Sequence, residues 1–194
     1  MSTEQGPTIR GMASDYSHLD GSIVLVTGPM ASGKSTVANA LAATFPKGVH
    51  VEGDVFRRFI VSGRHEMTPE PSQEALTQLR LRYLLAAEVA ERYARAGYTA
   101  VVEDVVAGRL LTEFVSLFTH RPLHLVVLLP NEAAIAVREA GRAALGYEDW
   151  SVRRLYRVFA EETQRLGLWL DTSGDTPEKT VRQIQSRASE SALP

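Results

Sequence analysis

Gly28-Pro29-Met30-Ala31-Ser32-Gly33-Lys34-Ser35 limits what this chain can fold into more than any other stretch. It reads G-x-x-x-x-G-K-S, a phosphate-binding loop pattern that works only between a strand and a helix. Both flanks are present. Ile23-Val24-Leu25-Val26 is a short β-branched run bounded by Gly21 and Gly28, and Val37, Leu41 and Phe45 then recur at helical spacing. In that setting the backbone N–H groups of 29–35 curl around a triphosphate, and the helix N-terminus adds its partial positive charge. Lys34 is expected to reach the β- and γ-phosphates, and the Ser35 hydroxyl to hold Mg²⁺. Gly28, Ala31, Ser32, Gly33, Lys34, Ser35 and Thr36 are the expected nucleotide-binding positions here.

Composition narrows the rest. A chain of 194 residues, 44% apolar and 23% charged, suits one globular domain. A formal net charge of −2 provides no basic excess for nucleic acid. The absence of cysteine excludes disulfides, thiol catalysis and thiolate metal sites. Met1 to Gly21 holds no apolar signal-peptide core, and the longest aliphatic run, Leu125 to Leu129, is too short for a bilayer. The expectation is a cytoplasmic protein without nucleic-acid or membrane partners. Its oligomeric state is left open, a homo-oligomer included.

Along the chain, residues 1–20 carry no periodicity and read as a flexible arm. Strands are expected at 22–27, 49–51, 99–102, 123–129 and 168–171, each short and apolar. Between them come helices over 36–45, from Asp54 to about 62, from a Ser72 cap to 96, over 109–118, after Pro130-Asn131 and from 149–151 to 166. Thr176-Pro177 opens the last helix. Strands alternating with helices predict a parallel sheet covered on both faces. The expected fold class is a three-layer α/β P-loop NTPase fold with a five-stranded parallel sheet.

Ligands of such sheets sit beyond the carboxyl ends of the strands. Those ends carry the phosphate loop, Asp54, Glu103-Asp104 and Asp171-Thr172-Ser173. Asp54 either accepts the hydrogen of a substrate hydroxyl and helps hold Mg²⁺, or simply caps the helix it begins. Glu103 and Asp104 alternate in facing, so one of them lines the crevice; Asp104 is expected there, touching Mg²⁺ or substrate. Arg138 and Arg142 share a helix face and suit adenine and the transferring phosphate, the alternative being a solvated face paired with Glu132 and Glu139. Arg57 follows Asp54 by one helical turn and suits an anionic or polar acceptor. His120 and His124 straddle Pro122 and a strand start, so they form no zinc pair.

With these residues in place, the chain resembles the small-molecule kinases of the P-loop superfamily, the group of chloramphenicol phosphotransferase, shikimate and gluconate kinases and adenylate kinase. The resemblance runs over about 22–187. It is carried by Gly28-x-x-x-x-Gly33-Lys34-Ser35, Glu52-Gly53-Asp54, Glu103-Asp104-Val105, Arg138-x-x-x-Arg142 and Asp171-Thr172-Ser173-Gly174. It implies that Asp54 is the catalytic base, that Arg138 and Arg142 open a lid, and that Arg57 grips the acceptor. It also implies a nucleoside-monophosphate-kinase-like domain over 21–190 with a small lid around 138–150. Three departures matter. Gluconate kinases have His where Arg57 stands, shikimate kinases have a glycine triplet where Val105-Val106-Ala107-Gly108 stands, and the segment after Arg142 is short for an adenylate-kinase lid.

The expected activity is transfer of the γ-phosphoryl group of ATP, with Mg²⁺, to a hydroxyl of a small molecule. An antibiotic or other secondary metabolite fits best by resemblance, which carries antibiotic resistance as the biological role. Asp54, Lys34 and Arg142 are the expected catalytic residues. Arg138, Arg142 and Thr172 complete the nucleotide set; Asp54, Arg57, Asp104 and Arg109 bind the acceptor; Ser35, Asp54 and Asp104 hold the metal. The alternatives are a zeta-toxin-like nucleotide-sugar kinase, or a P-loop ATPase or switch that is no kinase. Lys34, Lys47 and Lys179, the only lysines, leave no Asn-Lys-x-Asp guanine motif for a GTPase.

Overall fold

The structure, a computed structural model, describes residues 17–140 and 152–194. Five parallel strands lie in the order β2-β3-β1-β4-β5. They are β1 (Ile23–Thr27), β2 (Gly48–Glu52), β3 (Thr99–Glu103), β4 (Leu123–Leu128) and β5 (Leu168–Leu170). A sixth strand, β6 (Ala192–Leu193), pairs antiparallel with β4 at Leu123 and His124. The expected sheet thus gains one strand. The reason lies in β5, which pairs only with Val126 to Leu128 and leaves the start of β4 with an open edge. Two residues offer no alternation to read, so β6 was invisible in the pattern.

Right-handed crossovers place a helix on one face or the other according to the direction in which the chain moves across the sheet. The chain moves from β1 to the edge strand β2 through α1 (Lys34–Ala42), then back to β3 through α2 (Asp54–Arg58) and α3 (Gln73–Arg95). On the first face, Val24, Val26 and Val101 meet Val37 and Leu41 of α1 and Ile184 of α7 (Pro177–Ser186). On the second, Leu25, Ala100 and Val102 meet Leu79, Tyr83, Ala86 and Ala90 of α3. The alanines let α3 lie close to the sheet. Its start is fixed by Ser72, whose hydroxyl accepts from the Ala75 N–H at 3.1 Å. Gly97, with φ 82°, ends it as expected of a C′ glycine.

The second face also carries α4 (Leu110–Val115) and α6 (Val152–Arg157), the latter ending in a π-turn over Val158–Glu162. Helix α5 (Glu132–Ala140) precedes them, and α8 (Ala188–Ser191) joins α7 to β6. The helices expected over 36–45, 54–62 and 109–118 exist but end earlier than expected, at Ala42, Arg58 and Val115. No described helix is long and apolar enough to cross a membrane. Arg142 and most of the expected lid, with most of the expected N-terminal arm, lie outside the described residues.

Strand alternation decides the site. Val101 faces α1 while Ala100 and Val102 face α3, so Glu103 must point to the α1 side and Asp104 to the α3 side.

Candidate active site

The phosphate loop leaves β1 at Gly28, where an added Cβ would lie 2.3 Å from the Leu128 carbonyl oxygen of the neighbouring strand. Only glycine fits that approach. Gly33 adopts φ 91° and caps α1 with no side chain, and no acidic residue occupies the first turn. The helix therefore presents bare N–H groups and a positive dipole end, a site shaped for an anion. Ala31 sits at φ 57°, a left-handed conformation that costs a non-glycine residue about 1 kcal/mol or more. Ser32 Oγ and, across the loop, Thr172 Oγ1 are buried and lack a hydrogen-bond partner among the described residues. Bare N–H groups and two orphaned hydroxyls fit a bound phosphate chain.

Ser35 Oγ donates to Glu103 Oε1 at 2.8 Å. Glu103 is 4% exposed. Burial pushes its carboxyl above the usual range, against the pull of the Lys34 charge and the Ser35 hydroxyl, and Asp104 and Glu52 add to the rise. The carboxylate beside Ser35 is thus Glu103 and not, as expected, Asp104. The face parity of β3 is the physical reason.

Asp104 turns to the other side and meets Arg82 of α3. Arg82 Nε donates to Asp104 Oδ2 at 2.7 Å, and Nη2 contacts Oδ1. Both side chains are almost wholly buried, at 6% and 1% exposed. Arg82 Nη1 also reaches Asp54 Oδ1 at 3.4 Å. Arg82 was missed because a lone arginine on an amphipathic helix reads as solvated. The available signal was its register: it neighbours Leu79, Tyr83 and Ala86, all on the buried face of α3.

Asp54 stands at the start of α2, but Gly53 is the cap position and makes no side-chain cap bond. The Asp54 carboxylate instead accepts from Arg57 Nε at 2.8 Å and Arg58 Nη1 at 2.9 Å. Burial alone would raise its pKa; the Arg57 hydrogen bond and the charges of Arg57, Arg82 and Arg58 outweigh that and hold it low. Arg57 is shared in turn with Glu66 at 2.8 Å. Asp54 and Asp104, both expected as metal ligands, therefore face guanidinium groups, and a cation beside either would meet like charge. Among the described residues no three His, Asp or Glu side chains gather as a metal-binding set. Beside the phosphate loop, Ser35 Oγ and the Glu103 carboxylate form a donor pair suited to a hard cation such as Mg²⁺ that completes its shell with water and phosphate.

Gly53 makes this geometry possible. A Cβ there would sit 2.0 Å from Asp104 Oδ2 and 3.1 Å from Asp104 Cβ, and Asp104 is pinned by Arg82. Gly53→Ala is expected to destabilise the fold by about 1–3 kcal/mol, the range of overpacking. Urea unfolding measures it, and an unchanged midpoint would contradict the crowding.

The remaining expected residues divide. Arg138 does arrive beside the phosphate loop: Nη1 donates to the Ser32 carbonyl at 3.3 Å and Nη2 to the Thr172 carbonyl at 2.7 Å. It ties the loop to the end of β5 and does not stand on a solvated face. Lys34 and Ser35 open α1, with exposed Thr36 behind them. Arg109 is exposed at the cap of α4, and its neighbour Leu110 lines a cleft between the phosphate loop, α3 and α4. His120 Nε2 meets the Gly21 carbonyl at 2.8 Å and His124 Nδ1 meets Ser191 Oγ at 2.9 Å, so neither joins the site.

A phosphate loop, a buried carboxylate on its serine and an arginine-held aspartate at the next strand end thus stand together at one end of a parallel sheet, the layout of a P-loop fold. Residues 23–166 match the family described as an AAA domain, and the chain belongs to that family. In fold it is similar to a sugar kinase from Janibacter sp. HTCC2649, 18% identical, with a TM-score of 0.62 over 87% of this chain and 94% of that one. It is similar to the tunicamycin resistance protein of Deinococcus radiodurans, 16% identical, with a TM-score of 0.61 over 89% and 98%. It also resembles shikimate kinase from Bacteroides thetaiotaomicron, 13% identical, with a TM-score of 0.57 over 86% and 98%. At these identities the likeness is one of fold. In sequence, 78 residues (40% of this chain) are 37% identical to a tRNA dimethylallyltransferase of Chlorobium phaeobacteroides strain BS1, and the match spans 23% of that protein's length.

Proposed function

We propose that the chain is an ATP- and Mg²⁺-dependent kinase that transfers the γ-phosphoryl group to a hydroxyl of a small molecule. The observation that carries this is Asp54, a carboxylate held ionised by Arg57, Arg58 and Arg82 at the strand end beside the phosphate loop. Phosphoryl transfer asks chiefly for positioning and charge. Backbone N–H groups of 29–35 and Lys34 hold the phosphates. Ser35 and Glu103 would hold Mg²⁺, which when bound neutralises charge on the phosphates. Asp54 accepts the hydrogen of the acceptor hydroxyl and fixes its direction, and Arg82 fixes Asp54. Arg138 stabilises the loop against the end of β5 and is placed to meet the nucleotide. Arg142 closes over the transferring group in this reading, and the lid belongs to a single domain over 21–190. The setting is cytoplasmic, and a hydroxylated antibiotic or secondary metabolite is the acceptor. The net charge of −2 favours such a molecule over a polyanion such as tRNA.

The test is an ATP-consumption screen over hydroxylated antibiotics, sugars and nucleosides, with Lys34→Ala as background. Acceptor-dependent ADP release is expected; ATP hydrolysis that no acceptor accelerates would contradict the kinase reading.

Glu103 makes a separate prediction. Its raised pKa means a proton competes with the metal, so Mg²⁺–nucleotide affinity is expected to weaken as pH falls through that pKa. Glu103→Gln is expected to raise the Mg²⁺ requirement by about 10–100-fold, by analogy with loss of a supporting metal-site group, and to flatten the pH dependence. Titration calorimetry at several pH values checks both. An unaltered Mg²⁺ requirement in the variant would remove Glu103 from the metal site.

A further inference from the structure

We propose that the acceptor is an uncharged alcohol with an apolar body, seated in the cleft between the phosphate loop, α3 and α4; this rests on the kinase reading above. The cleft holds about 220 Å³. Met30 of the phosphate loop, Leu79 of α3 and Leu110 of α4 form its walls, and Pro69 and Pro71 its rim. Met30 places it directly beside the triphosphate site. An apolar cavity of about 150 Å³ is enough to hold a benzene ring.

The charges on its wall are already balanced. Among the described residues lining the cleft, Arg82 is the one ionised side chain, and it is shared between Asp104 and Asp54. Tyr83 spends its hydroxyl hydrogen on the Val105 carbonyl at 3.0 Å. Arg57, the nearby arginine expected to grip an anion, is divided between Asp54 and Glu66. A phosphate or carboxylate entering here would lose water and meet, among the described lining residues, no cation that is not already paired with a carboxylate. A neutral alcohol loses little and gains apolar contact. Met67, Leu79 and Arg82 also line a second cavity of about 140 Å³, walled by Phe56 and Ile60 and bordered by Arg57, His65 and Gln78. Arg82 lines both cavities and its Nη1 lies 3.4 Å from Asp54 Oδ1, and the proposal sets the acceptor's hydroxyl beside that carboxylate.

The transfer balances without a further reactant. The alcohol oxygen bonds to the γ-phosphorus as the bond from that phosphorus to the β,γ-bridging oxygen breaks. ADP departs with the bonding electrons. The hydroxyl proton passes to Asp54 and on to solvent, leaving a phosphate monoester.

The test uses the full chain with ADP and Mg²⁺ present, and measures affinity for 3-phenylpropan-1-ol, gluconate, shikimate and AMP by calorimetry. Leu76→Arg and Leu110→Arg place a charge at half-buried positions on the cleft wall. The phenyl alcohol is expected to bind at least about tenfold more tightly than the anions, and each arginine variant to weaken it by about tenfold or more. ADP affinity and the circular dichroism spectrum should be unchanged in both variants. Tighter binding of any of the anions, no binding of the alcohol, or unaltered alcohol affinity in both variants would overturn the inference. Labelled ATP separates the two claims. Phosphorylation of an anion in preference to the alcohol overturns the cleft assignment and keeps the kinase reading. Alcohol binding that is lost in the variants, with no label transferred to any acceptor, supports the cleft's ligand class and overturns the kinase reading.

Discussion

Asp54→Asn is expected to lower kcat by about 10²–10⁴-fold, the span of general-base contributions, while nucleotide affinity stays unchanged. Asparagine keeps the shape, and its single amide oxygen can still accept from Arg57, while the bond from the exposed Arg58 is lost. It cannot take the hydroxyl's proton. The cost to stability should be small, because Asp54 is 32% exposed and partly exposed ion pairs contribute about 0–1 kcal/mol. The pH dependence has a definite sign. Arginine neighbours depress the Asp54 pKa, so its ionised form persists above the usual carboxylate value of 3.8 and is lost only as pH falls through the lower folded value. Any acid limb in kcat/KM at higher pH then belongs to another group, and Glu103 is the raised carboxylate nearby. Full activity in Asp54→Asn would remove Asp54 from the chemistry.

Arg82→Met is expected to cost about 3–5 kcal/mol, because it strands the buried Asp104 carboxylate without its partner. For a domain of this size that corresponds to a fall in Tm of roughly 6–20 °C. The double variant Arg82→Met/Asp104→Leu should recover most of the loss, since apolar replacement of a buried pair is often neutral. It should not recover activity, because Asp54 has still lost the guanidinium that orients it from α3. A double variant as unstable as the single one would mean that the pair itself, and not the stranded charge, holds α3 to the sheet. Calorimetric unfolding and turnover of the same samples separate stability from positioning.

The layout of this site was legible where a residue's role is set locally. The phosphate loop needs glycine at Gly28 and Gly33 for reasons of close approach and backbone angle, and those needs survive in the one-dimensional pattern. Ser72, Gly97 and Thr176-Pro177 marked helix ends for the same kind of reason. The strand-end carboxylates were found, but their partners were not. Which of Glu103 and Asp104 faces the loop depends on which face α1 covers, a consequence of crossover handedness and not of either residue. Arg82 reaches Asp104 across 22 positions of chain, and nothing adjacent to it announces a buried charge. Gly53 stood out only as part of Glu52-Gly53-Asp54; its need is space for Asp104, visible only once two strands lie side by side. The cleft proposed for the acceptor collects side chains from the phosphate loop, α3, α4 and the π-turn, and no local pattern encodes such a meeting.

The central claim is that the γ-phosphoryl group leaves ATP for a hydroxyl held at Asp54. Incubating the protein with γ-labelled ATP, Mg²⁺ and a neutral aryl-alkyl alcohol, then resolving the products, tests it directly. The expected result is label in an alkyl phosphate monoester, formed in equal amount with ADP and abolished in Asp54→Asn. Label appearing only as inorganic phosphate, at a rate that no acceptor changes and that Asp54→Asn retains, would contradict it.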